Sequence, residues 1–250
     1  TEDLKALRYL TCPNMVQSDS RNHHPGVDNR GPFFSMNPFS SRCCQHNHAM
    51  GWPYYAQNLV LASADGGAAI PTYSDCQATL MVGSGQRVTL DEQTHYPFGE
   101  DVLITVGGLG RKGSATFPLY LRIPAWTTDA HVQVNGQTID CRPTEGLLRI
   151  SRTWKDGDRV QLYLPMRLSL RRWALNKNSV SVDYGPHTMS LLIKERRQQA
   201  DSRQTAIGDS HWQEGADASQ WPTTEIYAAS PWNYALVPCA KGMRVERTAW

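Results

Sequence analysis

The spacing of apolar residues changes twice along the chain and predicts three parts. Residues 1–66 hold a long polar loop and then a helical pattern, residues 67–170 follow a period of two, and residues 171–250 begin with a further alternating stretch. An apolar residue at every second position gives a strand with one buried face. The patterns therefore predict a mainly β protein, with antiparallel β-sandwich structure preceded by a loop and one helix.

The helical pattern lies between positions 43 and 62, where apolar side chains recur at steps of three and four residues: Trp52, Tyr55, Leu59 and Ala62. The spacing predicts a helix that starts at the adjacent pair Cys43-Cys44 and stops at the Gly-containing residues 64–67. Pro53 predicts a break or a second helix start, because proline lacks the N–H that an inner helical position donates.

Turn signals divide the alternating part into short strands. Asn135-Gly136 predicts a hairpin, because both residues tolerate the positive φ of a two-residue turn, and Asp156-Gly157 is predicted to turn between the next two runs. The stretch SVSVDYGPHTMSLLIKER predicts one more hairpin in a second, smaller β region, residues 171–250. In FPLYLRIP the side chains predicted to point inward are Phe117, Leu119, Leu121 and Ile123.

Charge and composition exclude several classes of partner. The chain has 25 Lys and Arg against 23 Asp and Glu, so no overall field attracts nucleic acid or an anionic membrane. No apolar run approaches the roughly 18 residues of a membrane span, and the start, TEDLKALRYL, has no signal-peptide pattern. Without an initiator methionine the chain is expected to be a fragment or a processed product, and its location and oligomeric state stay open.

The stretch SRCCQHNH, residues 41–48, gathers the candidate chemistry. A thiolate is a strong nucleophile and a preferred zinc ligand, and a helix start lowers the pKa of a thiol. Cys43 and His46 are three apart and Cys44 and His48 are four apart, so either pair suits one ion. The spacing matches no zinc finger. Three roles for these residues therefore stay open: a metal site, a nucleophile and inert packing.

Other candidates have equally ordinary alternatives. His23 and His24 either contact a substrate or form hydrogen bonds within the loop. Trp52, with Tyr54 and Tyr55, either stacks on a sugar ring or fills a core, and the core is the preferred interpretation. The isolated cysteines are expected to be small buried residues: Cys12, Cys76, Cys141 and Cys239.

Seven stretches occur in this order: FSSRCCQHN, GWPYYAQNL, YPFGEDVLITV, FPLYLRIPAW, VQVNGQ, RTWKDGDRVQLYLPM and VSVDYGPHTMSL. Together they resemble the later part of the glycoside hydrolase family 127 type, which comprises the β-L-arabinofuranosidases and their relatives. Those proteins are larger, with an N-terminal (α/α)6 barrel that carries the active site, followed by β-sandwich domains. The resemblance implies that residues 1–66 are the end of a truncated barrel, with its last helix.

The resemblance also implies a retaining hydrolysis with a cysteine nucleophile. In the family, three cysteines and one glutamate bind zinc, and a second glutamate is the acid and base. Cys43 then corresponds to the nucleophile and a zinc ligand, Cys44 to a second ligand, and Asn47 to an asparagine of the motif. Gln45-His46 replaces two prolines of the arabinofuranosidases, so the pocket and the substrate are expected to differ.

The remaining zinc ligands and the acid/base glutamate are expected upstream of residue 1, so this chain alone is expected to be inactive. His46, His48 or Cys12 are alternative ligands that nothing in the sequence requires. The residues expected at the oligosaccharide or polysaccharide substrate are His23, His24, His46, Asn47 and Trp52.

Three functions compete. The first is a zinc-dependent glycosidase acting on β-L-arabinofuranosides or related plant glycans. The second is a non-catalytic β-sandwich module with a carbohydrate-binding or structural role, in which the cysteine pair has no catalytic part. The third is a cysteine hydrolase using Cys44 and a nearby histidine, which is disfavoured because such a base needs a third group to orient it.

Overall fold

The computed structural model describes Ala6–Leu7, residues 15–19, Arg21, Phe33–Ser35, and residues 43–140, 142–204, 211–237 and 242–246. The side chains of residues 6–7, 33–35, 43–46 and 48 lie outside this description. The chain divides into two compact units, Thr1–Pro53 with Leu191–Val237 and Tyr54–Ser190 with Pro238–Trp250. The domain boundaries that the sequence predicts near residues 66 and 170 stay predictions.

Strands dominate the regular structure of the described residues. The first elements are β1 (Ala6–Leu7), β2 (Phe33–Ser35), α1 (Cys43–Gln57), β3 (Leu61–Ala62), β4 (Ala68–Ile70), β5 (Cys76–Val82), β6 (Gln86–Thr94), β7 (Asp101–Gly107) and β8 (Ser114–Arg122). The later elements are β9 (His131–Val134), β10 (Gln137–Ile139), β11 (Leu147–Lys155), β12 (Arg159–Tyr163), β13 (Leu168–Trp173), β14 (Ser179–Tyr184), β15 (His187–Thr188), β16 (Glu195–Ala200) and β17 (Thr223–Ala228).

Helix α1 begins at the cysteine pair, as predicted, but ends earlier than its pattern suggests. Asn58 closes it, because its side-chain amide donates to the carbonyl of Tyr54 (2.6 Å) and its backbone N–H donates to Tyr55 (3.1 Å). These bonds satisfy carbonyls that the helix end leaves free. Pro53 lies inside the helix without interrupting it, so the predicted break is wrong.

The predicted stop at residues 64–67 is instead a turn between β3 and β4. The N–H of Ser63 donates to the carbonyl of Gly67 (3.0 Å), and the N–H of Gly66 donates back to Ser63 (3.1 Å). Gly67 has no room for a side chain, since a Cβ there would lie 2.2 Å from the carbonyl oxygen of Pro118. The glycines therefore serve a tight strand connection rather than a helix end.

A β-sandwich forms the larger part of the second unit. One sheet has six strands in the order β10-β9-β12-β7-β6-β5, and the other has four in the order β11-β8-β4-β3. Buried residues of both sheets join in one core, among them Ile104 and Val88 from the first and Phe117, Leu121 and Trp154 from the second. The predicted antiparallel, mainly β fold is confirmed, with β4 and β8 as a parallel pair.

The alternation predicted for β8 is confirmed. The side chains predicted to point inward are all less than 9% exposed: Phe117, Leu119 and Leu121 in the strand and Ile123 just after it. The Asn135-Gly136 hairpin is also confirmed, with φ of 52° and 77° at the two turn residues between β9 and β10. A second predicted hairpin joins β14 to β15 in a three-stranded sheet with β13.

Asp156-Gly157 is a turn, but it does not close a hairpin. Strand β11 pairs with β8 in one sheet, whereas β12 pairs with β7 and β9 in the other. Hydrogen bonds to the end of β7 and the residues after it fix this connection between the two sheets. Asp156 accepts from the N–H of Leu109 (3.0 Å), and Gly157 donates to the carbonyl of Val106 (2.8 Å). Each strand buries its apolar face against the same core from an opposite side, which a hairpin within one sheet would not allow.

The first unit contains a separate antiparallel sheet in the order β1-β2-β17-β16. Its longest pair joins Glu195–Ala200 to Thr223–Ala228, and Ser18 extends the sheet through two 2.8 Å bonds with Ile226. Arg196 lies over the ring of Tyr227 at 4.6 Å. In the part of the chain described, no helix is long and apolar enough to cross a membrane.

Trp154 is expected to be the most sensitive tryptophan of the sandwich. It is fully buried, its Nε1 donates to the carbonyl of Phe117 (3.0 Å), and its ring packs on that of Phe117. Trp154→Phe should lower the free energy of unfolding by about 1–3 kcal/mol, because it removes a buried hydrogen bond and leaves a void. Urea unfolding with an unchanged m-value measures this loss.

Trp173→Phe is the matched control. Trp173 is 41% exposed and its Nε1 donates to Ser181 at 3.0 Å, so its loss should change the stability by less than about 0.5 kcal/mol. Equal losses in the two variants would contradict the assignment of Trp154 to the centre of the core.

Candidate functional site

The cysteine pair occupies the first two positions of α1, a helix of 15 residues. The first N–H groups of a helix have no partner within it, and they create a positive end. A thiol at this position ionises more readily than a free cysteine, which favours both nucleophilic attack and metal binding. The backbone therefore provides the first condition of the chemistry predicted for Cys43 and Cys44.

The roles of the predicted site residues stay predictions. His23 and His24 lie outside the described residues, and for Cys43, Cys44 and His46 the structure describes only the backbone. That backbone puts both cysteines and His46 on one continuous helix, as the sequence predicts. The predicted pairings of Cys43 with His46 and of Cys44 with His48 depend on side chains outside this description and stay predictions.

The aromatic side chains of α1 are exposed. Trp52 is 57% exposed, Tyr54 is 65% exposed, and Asn47 is also exposed. The interpretation of Trp52, Tyr54 and Tyr55 as core residues is therefore wrong for this chain. Leu59, just after the helix, is buried. Large exposed aromatic surface on one helix is typical of a surface that contacts a ligand or another part of a protein.

The described residues contain no group of three or more His, Cys, Asp or Glu side chains that could hold a metal ion. The side chains of Cys43 and Cys44 are not among those described, so the zinc prediction is untested. Two adjacent thiols still have the soft donor chemistry that zinc prefers, and a structural or catalytic zinc takes three or four protein ligands.

The most perturbed acid of the sandwich is Glu92, on β6. It is 2% exposed, its Oε1 accepts from the N–H of Ser74 (2.9 Å), and its Oε2 has no hydrogen-bond partner. Burial raises its pKa to about 7; the Ser74 bond opposes the shift and the Asp75 charge adds to it. A carboxyl without full hydrogen bonding is more stable in its neutral form.

Cys76 lies directly opposite Glu92 on the neighbouring strand. Burial, followed by the charges of Glu92, Asp91 and Asp75, raises the pKa of its thiol to about 11. At neutral pH this cysteine is therefore protonated and unreactive. The surroundings of Cys76 disfavour a thiolate, whereas a helix start favours one. Cys76 is therefore a useful reference for the cysteine pair.

Glu92 is a residue that the sequence analysis missed, although a signal exists. Val88, Leu90 and Glu92 alternate along β6, and the first two point into the core. The same period places Glu92 inward. A carboxylate at an inward position is unusual enough to mark a site with a shifted pKa.

Comparison with known proteins supports the resemblance that the sequence predicts. Residues 68–166 match the family model described as "Beta-L-arabinofuranosidase, GH127 middle domain". A GH127 β-L-arabinofuranosidase from Geobacillus stearothermophilus T6 is similar in structure, with a TM-score of 0.54, 24% identity, and coverage of 65% of this chain and 28% of that one. Comparison with the curated proteins gives no match.

Two further solved structures are similar. One is described as a GH127 β-arabinofuranosidase, with a TM-score of 0.54, 19% identity, and coverage of 77% of this chain and 34% of that one. The other is described as a glycoside hydrolase, with a TM-score of 0.58, 19% identity, and coverage of 89% and 42%. At these identities the similarity is one of fold. The chain spans between 28% and 42% of the length of these relatives.

Glu92→Gln is expected to remove a pH dependence of stability. The carboxyl has a pKa of about 7 in the folded chain against 4.5 ordinarily, so the folded state binds its proton more tightly than the unfolded state. The wild type should therefore lose stability as the pH rises from about 4.5 to 7, by on the order of 3 kcal/mol. Glutamine stays neutral, so the variant should melt at a higher temperature than the wild type at pH 8.

Asp91→Asn is the control, since it removes a carboxylate at the next position of the same strand, which is only partly buried. It should retain the pH dependence of the wild type. Thermal unfolding between pH 4.5 and 8 measures both variants, and a Glu92→Gln chain with the wild-type slope would contradict a buried, protonated Glu92.

Proposed function

We propose, from the premise that the chain carries a middle domain of the GH127 β-L-arabinofuranosidase type at residues 68–166, that it is part of a retaining glycoside hydrolase with a cysteine nucleophile. The observation that carries the proposal is the order of two features. A pair of cysteines starts helix α1, and the sandwich that matches the family follows directly after the helix. The resemblance of the sequence assigns the nucleophile to the same pair.

The reaction proposed for Cys43 consists of two displacements at the anomeric carbon, each of which forms one bond to that carbon while another breaks. The thiolate attacks the anomeric carbon and forms a C–S bond, while the bond to the leaving oxygen breaks and that oxygen takes a proton from a carboxylic acid. Water then attacks the same carbon, gives its proton to the carboxylate and releases the thiolate. Two inversions retain the configuration of the sugar.

The helix start supports this role for Cys43 and a ligand role for Cys44. The unpaired N–H groups of the first turn stabilise a thiolate, as they do other anions. When bound, zinc would hold both thiols in the ionised form at neutral pH. The chain offers two of the four ligands implied by the resemblance, and the others, together with the acid/base glutamate, belong to the helical barrel expected upstream.

The substrate class proposed is a β-L-arabinofuranoside or a related plant glycan. Gln45-His46 follows the cysteine pair, where the arabinofuranosidases have two prolines. Side chains that donate and accept hydrogen bonds then replace two rigid apolar rings, so the sugar bound beside the nucleophile is expected to present an additional hydroxyl or a different linkage. Exposed Trp52 supplies an apolar face of the kind that stacks on a sugar ring.

Elemental analysis tests the proposal on a protein that joins this chain to the upstream barrel. We expect one zinc per chain, lost in both Cys43→Ser and Cys44→Ser, because serine is a poor ligand for zinc at neutral pH. Hydrolysis of an arabinofuranoside should fall at least about a thousandfold in Cys43→Ser, since the weaker nucleophile cannot form the thioglycoside.

Cys76→Ser is the matched control. Its thiol is held protonated by burial, so its replacement should leave zinc content and hydrolysis unchanged. A wild-type protein without zinc, or one that keeps zinc and activity in both Cys43→Ser and Cys44→Ser, would contradict the proposed chemistry.

A further inference from the structure

The outer face of the six-stranded sheet bears a continuous polar groove. Along β7 the side chains of Val102 and Ile104 enter the core, so Asp101 and Leu103 lie on the opposite face. A cavity of about 570 Å³ and a smaller one of about 150 Å³ open on this side of the sandwich. Both are lined by Asp101 and Gln161, so the two cavities adjoin. The larger one has the volume of an ordinary small-molecule site.

The register of the strands places residues of the groove in a row across the sheet. Gln161 of β12 lies opposite Gln133 of β9 on one side and Leu103 of β7 on the other, and Gln93 of β6 continues this row beyond Leu103. Neighbouring strands are about 4.8 Å apart, so a row over four strands spans roughly 15 Å. This length accommodates a short chain of sugar units running across the strands.

The groove presents hydrogen-bonding groups that the fold does not use. The side-chain amides of Gln133 and Gln161 and the carboxylate of Asp101 form no hydrogen bond or ion pair with the described residues. At the other end Asp91 accepts from the amides of Gln77 (3.3 Å) and Gln93 (3.1 Å), which orients both. An amide both donates and accepts, as a sugar hydroxyl does.

An aromatic pair lies at one end of the groove. His131 and Tyr163 lie opposite each other on β9 and β12, with ring centroids 4.7 Å apart. The hydroxyl of Tyr163 donates to Glu100 (2.8 Å), which fixes the orientation of the ring. Rings of this kind offer an apolar face beside polar groups, and a sugar ring has the same mixture of apolar and polar faces.

The charge of the groove selects among saccharides. Asp75, Asp91 and Asp101 line the two cavities, and no Lys or Arg does. An anionic glycan or a nucleic acid would meet like charge without a cation to offset it. A metal ion is also disfavoured, since the described residues hold no suitable group of ligands. Among saccharides, a neutral chain of hydroxyl-bearing rings therefore fits this lining better than an anionic one.

We propose that this face binds a neutral oligosaccharide through the row Gln133-Gln161-Gln93, with His131 and Tyr163 at its end. The site uses neither Cys43 nor Cys44, so saccharide binding there can be tested independently of the hydrolytic chemistry. Its function is to hold a glycan chain, which raises the local concentration of glycosidic bonds for a catalytic site in the same protein.

Calorimetric titration of the 250-residue chain tests the proposal. The probes are two neutral saccharides, arabinotetraose and xylotetraose, and one anionic saccharide, trigalacturonate. We expect one neutral tetrasaccharide to bind with 1:1 stoichiometry and trigalacturonate not to bind. A Gln133→Ala/Gln161→Ala double variant should bind at least about tenfold more weakly, because it removes the two amides of β9 and β12 that form no hydrogen bond within the described part of the fold.

Gln137→Ala is the matched control, because Gln137 is exposed on β10 of the same sheet and lines neither cavity. It should bind like the wild type, and all variants should melt at the same temperature, since the changes lie on a solvent-facing side. Cys43→Ser should also bind like the wild type. The proposal is overturned by absence of binding at millimolar saccharide, by preference for trigalacturonate, by unchanged binding in the double variant, or by loss of binding in Cys43→Ser.

Discussion

The two sheets of the sandwich bury their apolar faces against one another, and the rest of the second unit depends on this shared core. Trp154 and Phe117 stand in its centre, and neither has appreciable solvent exposure. Because alternation assigns every second residue of a strand to the core, the intervening residues are fixed on the outer face. The same constraint that makes the fold therefore lines up Gln133, Gln161 and Asp101 in a groove.

The core also explains the local departures from simple patterns. Glu92 follows the inward period of β6 although it is a carboxylate, and its pKa rises as a result. Asp156-Gly157 has the composition of a hairpin turn, yet β11 and β12 belong to opposite sheets. A turn dipeptide specifies how the chain reverses, whereas long-range pairing decides which sheet receives the next strand.

Much of the fold could be predicted because strand periods are local. The inward residues of β8, the Asn135-Gly136 turn and the start of α1 at Cys43 follow from short stretches of sequence. The end of α1 just before Asn58 could not, since it depends on contacts of one amide. The exposure of Trp52 could not be predicted either, because periodicity identifies an apolar face but not what covers it.

The candidate functional residues could also be predicted from the sequence only in part. Sequence identifies the cysteine pair as a candidate, because a helix start favours the thiolate form that attacks carbon or binds a metal. It gives no signal for the outer groove, since a polar residue at a solvent position of a strand is the common case. Only the register of β9, β12, β7 and β6 reveals that the glutamine side chains form a row.

The two proposals, hydrolysis at the cysteine pair and glycan binding on the sheet face, use different chemistry. The helix start suits a reactive thiolate, whereas the sheet face offers amides and rings that bind without reacting. The match of residues 68–166 to a GH127 middle domain connects the two, since it associates the sandwich with a glycoside hydrolase family. The central claim is that Cys43 forms a covalent bond to the sugar.

Trapping that bond is the most direct measurement. A protein that joins this chain to the helical barrel expected from the resemblance is mixed with a slowly hydrolysed β-L-arabinofuranoside, quenched in acid during turnover, digested and examined by mass spectrometry. The account predicts one pentose on the peptide that contains Cys43, and none on the peptide that contains Cys76. Turnover with the pentose on a carboxylate side chain, or with no sugar attached to any peptide, would contradict it.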